Sequence, residues 1–412
     1  MRIVVPGAGI VGVMAAWWLA REGRVVEVVE RCTGPAQETS LANGAIVHAS
    51  SVEPWSGPVV PWRILRWLGR EDAPLLLRPE VLPEIWRWGL AFLAACTAER
   101  HRASAVRNLA LALDSLEDLA TIRAETGIAQ DGRPRPCSRS GATPRRSRQR
   151  GERTRRSRRE GCGSSGSIGR NSSREPAPAP VPDRSTCALL FPRDESGDCA
   201  AMARGLAEWC AGQGVRFHMD TRVLGFRQAA GRLGAVATDR GELPAEAAVV
   251  AAGPWTPALL APLGLRVPIV PVKGVSLTAP RRLWPEAPRH AILDDAAHYA
   301  LVPIGERLRL AGSAEFTGFD ATPAPARVQA LVDRVAALFP AMRAVAAGPE
   351  AVAWAGLRPM TPRGEPLIGP SRIPGIWLDC GHGHMGWTLS AGSARRLAAQ
   401  IAGRTPAGPP LG

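Results

Sequence analysis

A doubly wound α/β nucleotide-binding domain, interleaved with an α+β domain that carries an antiparallel sheet, is the fold this 412-residue sequence predicts. Three observations predict it. Residues 3–12 form an apolar run that opens into Gly7-x-Gly9-x-x-Gly12. Residues 25–30, Val-Val-Glu-Val-Val-Glu, close a strand, glycine loop, helix and strand on an acid. More than 340 residues later, Gly381-His-Gly-His-Met-Gly386 supplies a second glycine-rich turn just before a helical segment. Two such turns at opposite ends of one chain serve one site only if the chain between them is folded in as an interleaved domain.

The elements follow in order. Residues 2–6 are continuously apolar, as a strand buried on both faces of a parallel sheet requires. Residues 10–22 have helical character, with Gly23 as a C-terminal stop. Residues 31–60 are rich in Gly, Ser and Pro and read as loop. Residues 62–127 read as mostly helical, including Trp62-Arg-Ile-Leu-Arg-Trp67 and Ile85-Trp-Arg-Trp-Gly-Leu-Ala-Phe-Leu93. A helix is expected over 198–213, strands over 215–220 and 222–227, and a β-meander from 232 onward. Residues 248–252 form another buried strand, ending at Gly253-Pro-Trp255. Residues 268–278 and 298–313 alternate as antiparallel strands, 324–346 are helical, 376–380 are a strand and 386–402 a last helix.

Composition bounds the function. The chain is long enough for two domains with real cores. Its net charge of +14 would ordinarily suggest nucleic acid. Residues 131–187 hold fifteen Arg against five acids, which leaves only about +4 for the rest, so no nucleic-acid partner is expected. That stretch has two large aliphatic residues, Ile168 and Val181. It cannot bury enough apolar surface to offset backbone entropy of about 1–2 kcal/mol per residue, so disorder is expected there. Its Arg, Pro, Gly, Ala and Ser content is what a G+C-rich gene yields when read out of frame; a basic linker that binds an acidic partner is the rival reading. The eight cysteines form no Cys-x-x-Cys pair and suggest a reducing compartment, hence the cytoplasm. Neither a secretory signal nor an apolar run of about twenty residues is expected from the pattern.

The chemistry starts at the glycine loop. Gly7 permits the tight turn, Gly9 lets backbone approach a pyrophosphate, and Gly12 lets helix and strand pack closely. Ile10 and Val11 open the helix whose N-terminal amides favour phosphate. Glu30 can accept ribose hydroxyls, and Arg31 follows it. This is a Rossmann-like pattern, and it does not by itself choose between FAD and NAD. The later Val249-Val-Ala-Ala-Gly253 and the turn at 381–386 favour FAD, because in flavoproteins of this architecture such distant segments close around the flavin. Arg358, in Trp354-Ala-Gly-Leu-Arg-Pro359, has few charged neighbours in sequence. A planar guanidinium grips a carboxylate with two parallel bonds, so Arg358 is a candidate substrate anchor. Tyr299 is the only tyrosine and a candidate second group at that site. Lys273 is left between a place near the flavin and a solvated strand position. His382 and His384 lack a third ligand, so no metal is expected. Asp194, Glu195 and Asp198 read as acids at a helix start rather than a cation loop.

At these residues the sequence resembles the FAD-dependent D-amino-acid dehydrogenases of the small-subunit type, within the D-amino-acid oxidase and glycine oxidase superfamily. The stretches that carry the resemblance are Gln37-Glu-Thr-Ser-Leu-Ala-Asn43, Asp194-Glu-Ser-Gly-Asp198, Pro271-Val-Lys-Gly-Val-Ser276, Gly356-Leu-Arg-Pro-Met-Thr-Pro362 and Gly381-His-Gly-His-Met-Gly-Trp-Thr388. It covers roughly 1–130 and 188–405. The resemblance implies Thr39, Ser40 and Asn43 near the flavin pyrophosphate and ring, and Val223 against adenine through its backbone. It implies Gly383, Gly386, Trp387 and Thr388 against the isoalloxazine, and Arg358 on the substrate carboxylate. It implies oxidation of a D-amino acid to a 2-oxo acid and ammonia, with electrons passed to a quinone or other respiratory acceptor. The helices at 62–93 then serve either as peripheral contact with the inner face of the plasma membrane or, the preferred reading, as buried core. The alternatives are an O2-using oxidase of glycine, sarcosine or hydroxyproline, and a nonfunctional product of a disrupted reading frame. The family has ordinary folded chain where 131–187 stands, so that stretch reads as a replacement. The expected division is 1–60, 188–258 and 350–412 for the FAD domain and 61–130 and 259–349 for the substrate domain.

Overall fold

The computed structural model describes residues 1–128, 137–141, 165–167 and 187–404. A six-stranded sheet runs in the order Leu367–Pro370, Ile376–Cys380, Ala247–Val250, Arg2–Pro6, Val25–Val29, Arg216–His218. All neighbours are parallel except Leu367–Pro370, which is antiparallel at the edge. Each central strand feeds two cores by alternation. Ile3 and Val5 point into a cluster shared with the helices Ile10–Arg21, Ala98–Thr126, Cys199–Gly212 and Gly386–Ile401. Val4 points the other way, into a core closed by the meander Val223–Ala229, Arg232–Thr238 and Gly241–Pro244. This is the expected α/β layer, and its helix and strand limits fall within a residue or two of those read from the sequence.

The second sheet has nine strands. Its path is Val352–Met360, Val270–Pro280, Arg307–Phe316, Tyr299–Ile304, Ala291–Asp294, Cys137–Gly141, Cys187–Phe191, Ser165–Ser167, with Leu75–Leu77 beside Arg307–Phe316. The helices Pro325–Ala336 and Met342–Ala347 cover one face. A single helix over 324–346 was expected; Pro340 lies in the gap, where its ring and missing N–H end helical bonding.

Several expectations change. The helix Ala98–Thr126, assigned to the substrate domain, buries Leu111, Ala112, Leu119 and Ile122 against the first and last helices of the α/β layer. Gly392 lets it come close, since a Cβ there would lie 2.8 Å from the Leu111 carbonyl oxygen. The strand Val352–Met360, assigned to the FAD domain, pairs along Val270–Pro280 in the antiparallel sheet. The expected disorder of 131–187 lies mostly outside the described residues. Where the structure does describe it, Cys137–Gly141 pairs with Ala291–Asp294 and with Cys187–Phe191, so backbone bonding, with Cys137 buried in an apolar cluster that includes Ala291 and Val302, holds a segment poor in apolar side chains. The helical stretch 62–93 is not simply buried core. The helix Val60–Trp67 has no buried residue, and Leu82–Ala95 buries only Trp88, Phe92 and Ala95.

Candidate active site

The glycine loop is built by exclusion. The first strand ends at Pro6, which has no N–H to donate but whose carbonyl accepts the Ala251 N–H at 3.0 Å. Gly7 has φ +107, and a Cβ on it would lie 2.6 Å from the Ala251 carbonyl oxygen. A Cβ on Gly12 would lie 1.9 Å from the Gly7 carbonyl oxygen. Gly253, with φ +53, follows Ala251 and starts the short helix Gly253–Trp255. Gly9 is the N-cap of the first helix and offers no side chain to its amides. The Ile10 N–H donates instead to Ser40 Oγ at 3.1 Å. Ile10 is therefore not a free donor to phosphate: the serine takes its amide, and the serine hydroxyl proton remains for an anion. Val11 and Gly12 head the helix where amides have no intrahelical acceptor.

Glu30 is held at the end of its strand. The Ala8 N–H donates to one carboxylate oxygen at 2.8 Å and the Cys32 N–H to the other at 3.0 Å. Each oxygen keeps a lone pair, so the carboxylate can still accept two hydroxyls. Arg31 lies 3.7 Å above the centre of the Trp255 ring and pairs with Glu38. The Thr221 N–H bonds the Glu30 carbonyl, which brings Val223 to the same end of the sheet. A turn too tight for a Cβ at Gly7 or Gly12, with amides at the helix start and carboxylate lone pairs beside it, fits the diphosphate and ribose of FAD.

The second half of the site rests on Arg358. Thr39 Oγ1 donates to the Leu357 carbonyl at 2.7 Å, which ties the first loop to the strand that carries the arginine. Ser276 Oγ donates to the Ala42 carbonyl at 2.8 Å, and the Asn43 carboxamide oxygen accepts the Ala45 N–H at 2.9 Å, fixing the loop's far end. The Arg358 guanidinium lies flat over Gly274, where a Cβ would stand 2.2 Å from Nη2. It donates to the Ser313 carbonyl at 2.8 Å. Ser313 has φ +58 and occupies a bulge opposite Lys273–Val275, and the bulge turns its carbonyl toward the guanidinium. Burial pushes the Arg358 pKa down to about 10, with Glu315 opposing that effect. Among the described residues no carboxylate pairs with it, since Glu315 is taken by Arg327 and Lys273. Arg358 is thus a deep, half-accessible cation oriented by one bond and lacking an anion.

Trp55 and His384 wall this cation, with ring centres 5.2 Å apart and the guanidinium 5.8 Å from the Trp55 ring. Burial, with His48 and Arg358 nearby, pushes the His384 pKa down to about 3, so its imidazole is neutral at ordinary pH. Trp55, His48, Gly274 and Ser313 were not named as site residues from the sequence. Gly274 alone had a signal, inside the quoted Pro271–Ser276 stretch. The Met360 sulfur lies 2.8 Å from where a Gly383 Cβ would be, and Gly383 has φ +60, so the second glycine turn is pressed on the arginine strand. Gly386 opens the last helix. Thr388 Oγ1 accepts the His48 N–H at 3.3 Å, while Trp387 is packed into the helix-side core.

Three helix residues position this wall. Asn108 Nδ2 donates to the Val52 carbonyl at 3.1 Å and to the Gly364 carbonyl at 2.9 Å, joining the Trp55 loop to the turn after Arg358. Glu365 in that turn is bound by Arg107 at 2.6 and 2.7 Å and by Ser104. Burial alone would raise the Glu365 pKa; the bonds from Arg107 and Ser104 outweigh it and hold it below the usual value. A lowered folded-state pKa gives stability that is present above the unfolded value and lost as pH falls through the folded one. Glu365→Gln is therefore expected to lower the melting temperature at neutral pH and to flatten its acid limb. An acid limb identical to that of the parent protein would refute this.

Tyr299 does not join the site. It opposes Gly312, which opposes Val275, whereas Arg358 opposes Val272, so the two side chains leave opposite faces of the sheet. Tyr299 is buried among Leu277, Leu301 and Leu331, and burial raises its pKa. Lys273 is on that same far face, neither solvated nor near the glycine turns, with Nζ 2.9 Å from Asp320. The two histidines diverge: His382 Nε2 contacts Ser393 Oγ at 3.0 Å, and His384 stacks on Trp55. The acids before the third helix of the α/β layer also serve separate ends. Asp198 caps that helix at the Ala200 and Ala201 amides, Glu195 pairs with Arg123, and Asp194 accepts the Ala49 and Ser50 amides.

Comparison with known proteins identifies the family. The family model described as DAO, FAD dependent oxidoreductase, matches residues 2–400. A protein of Xanthobacter autotrophicus named D-amino acid dehydrogenase is 40% identical over 412 residues, covering 98% of this chain and 96% of its own. One of the same name from Rhizobium johnstonii is 39% identical over 407 residues, covering 98% and 97%. The crystal structure of L-proline dehydrogenase from P. horikoshii superposes with a TM-score of 0.74 at 17% identity, covering 98% of this chain and 94% of that one, and shares the fold. A family model that matches nearly the whole chain, with relatives about 40% identical over nearly their full length, shows that this chain belongs to the DAO family of FAD-dependent oxidoreductases.

Proposed function

We propose that the protein oxidises D-amino acids to 2-oxo acids and ammonia and hands the electrons to a quinone-type acceptor. The observation that carries the reading is Arg358, a deep, half-accessible cation oriented by one bond and with no carboxylate partner among the described residues. A substrate carboxylate satisfies it with two charge-assisted bonds. Gly274 leaves the guanidinium flat on the sheet, and the Ser313 carbonyl stops it turning, so the bound acid is fixed in direction as well as place. Neutral His384 and the Trp55 ring shield the pair from water and strengthen it. The D configuration is supported by the name borne by the relatives at 40% and 39% identity.

We assign the amides of Val11 and Gly12 and the hydroxyl of Ser40 to the pyrophosphate of FAD, Glu30 to its ribose and the Val223 backbone to its adenine. Gly383, Gly386 and Thr388 are assigned to the ring end. FAD, when bound, supplies the two-electron oxidation; the chain binds, orients and excludes water. The product leaves as an imino acid and reacts with water outside, exchanging C=N for C=O with release of ammonia.

The test is the flavin spectrum of the purified protein under anaerobic conditions. D-Alanine is expected to bleach the yellow absorbance and L-alanine to leave it. Bleaching by neither, nor by other D-amino acids, overturns the assignment. Peroxide formed in air would move the acceptor from quinone to O2. A colourless protein that takes up no added FAD would favour the disrupted-frame reading of 131–187.

A further inference from the structure

A buried carboxylate lies behind Arg358, on the opposite face of the same sheet. Glu315 is 1% exposed. It opposes Lys273, which opposes Leu357, so its side chain leaves the sheet on the side away from Arg358. The helix Pro325–Ala336 covers that side, and its Arg327 Nε lies 3.0 Å from Glu315 Oε1. Lys273 Nζ lies 3.6 Å from Glu315 Oε2 and 2.9 Å from the exposed Asp320. Arg327 also donates to the Glu71 and Ala73 carbonyls.

Stability is a poor reason to keep such a group. Ions leave water at a high cost, and apolar side chains of similar volume are often at least as stable in their place. This face already packs Leu277, Leu301, Leu310 and Leu331 and could take more of the same. Apolar side chains could not act across the sheet, and Glu315 does so in two ways. First, its Oε1 accepts the Ser313 Oγ at 3.2 Å. Ser313 is the bulge residue at φ +58 whose carbonyl receives Arg358 Nη1 at 2.8 Å. That backbone conformation is strained for a serine, so a bond that pins the residue also fixes where its carbonyl points. Second, Glu315 is the negative charge that opposes the burial of Arg358. Lys273, Arg327 and Arg358 have two carboxylates among them, Glu315 and Asp320, so the set is one anion short. A substrate carboxylate supplies it.

We propose that Glu315 is a positioning residue for the substrate: from the far face of the sheet, through the Ser313 hydroxyl, it holds the bulge carbonyl that aims the Arg358 guanidinium at a carboxylate. This rests on the reading of Arg358 as the carboxylate anchor.

The test uses the FAD-loaded protein and propionate, which is alanine without its amine. Binding is read from the flavin spectrum, beside KM and kcat for D-alanine. Ser313→Gly removes the hydroxyl and leaves every charge in place, and glycine adopts the positive φ without strain. It is expected to melt no lower than the parent, yet to raise the propionate Kd and the D-alanine KM about fivefold to tenfold. The kcat should stay within about twofold, since binding is lost equally from ground and transition states. Glu315→Gln should raise Kd at least as much and also melt lower, because two buried cations lose their anion. Arg358→Met separates the two readings. If it binds propionate as the parent does, or the parent binds none, the anchor fails and the positioning role with it. If Arg358→Met loses propionate while Ser313→Gly and Glu315→Gln bind it as the parent does, the anchor stands and the role of Glu315 is overturned. A Ser313→Gly protein that melts well below the parent would make the serine structural and overturn it too.

Discussion

Arg358→Met is expected to lower kcat/KM for a D-amino acid by about a thousandfold and to leave the protein yellow. Two charge-assisted bonds are lost, each contributing about 1.5–3 kcal/mol, so the combined loss is near 4 kcal/mol. The nucleotide end is untouched, because the closest link between them is Thr39 Oγ1 to the Leu357 backbone carbonyl, which methionine at 358 preserves. Arg358→Lys separates charge from shape. Lysine keeps the positive charge but has one point of contact and cannot lie flat over Gly274, so it should recover a minority of the lost efficiency. The effect should fall on substrates with a carboxylate, and the corresponding amines without one should react no worse with the variant than with the parent. A methionine variant that keeps most of its kcat/KM would remove the carboxylate from Arg358 and with it the substrate assignment.

The parts of this site that were legible in the sequence are those set by local backbone rules. Gly7, Gly9 and Gly12 sit at fixed spacing because a strand, a tight turn and a helix must meet within a few residues, and Glu30 follows from the length of one helix and one strand. Arg358 was legible because few charges surround it in the chain. What holds it was not. Its acceptor is a carbonyl at a bulge 45 residues earlier, and a bulge has no side-chain signature when the residue in the left-handed conformation is a serine rather than a glycine. Tyr299 failed for a related reason. Alternation tells which residues of a strand share a face, but not which face meets the coenzyme, and the register with Gly312 sends Tyr299 under the helices. The helix Ala98–Thr126 was given to the wrong layer because its partner, the last helix, is nearly three hundred residues away in sequence, beyond any local pattern. Trp55 lies in a loop with no periodicity, and the bonds from Asn108 to two carbonyls, with the stacking of Trp55 on His384, show why the loop is where it is.

Gly12→Ala should yield a protein that folds but does not retain FAD. The added methyl would sit 1.9 Å from the Gly7 carbonyl oxygen and 3.0 Å from its carbon, both backbone atoms, so no rotamer relieves the clash. The helix must move off the strand, and the amides of Val11 and Gly12 move with it. Gly7 cannot absorb the shift, because it is itself wedged against the Ala251 carbonyl at a positive φ. Overpacking of this kind costs about 1–3 kcal/mol, which at the upper end corresponds to about a hundredfold in FAD affinity if the strain falls on the bound state. The readout is linkage: excess FAD should raise the melting temperature of the parent and barely move that of the variant. Gly212→Ala is the matched control. It adds the same methyl at a helical glycine with nothing within 4 Å, so the protein should keep its colour and gain about 0.5–1 kcal/mol of stability. If Gly12→Ala instead holds FAD as firmly as Gly212→Ala does, the diphosphate is bound somewhere other than the first turn of the first helix. Glu30, whose spare lone pairs face that same turn, would then lose its ribose as well.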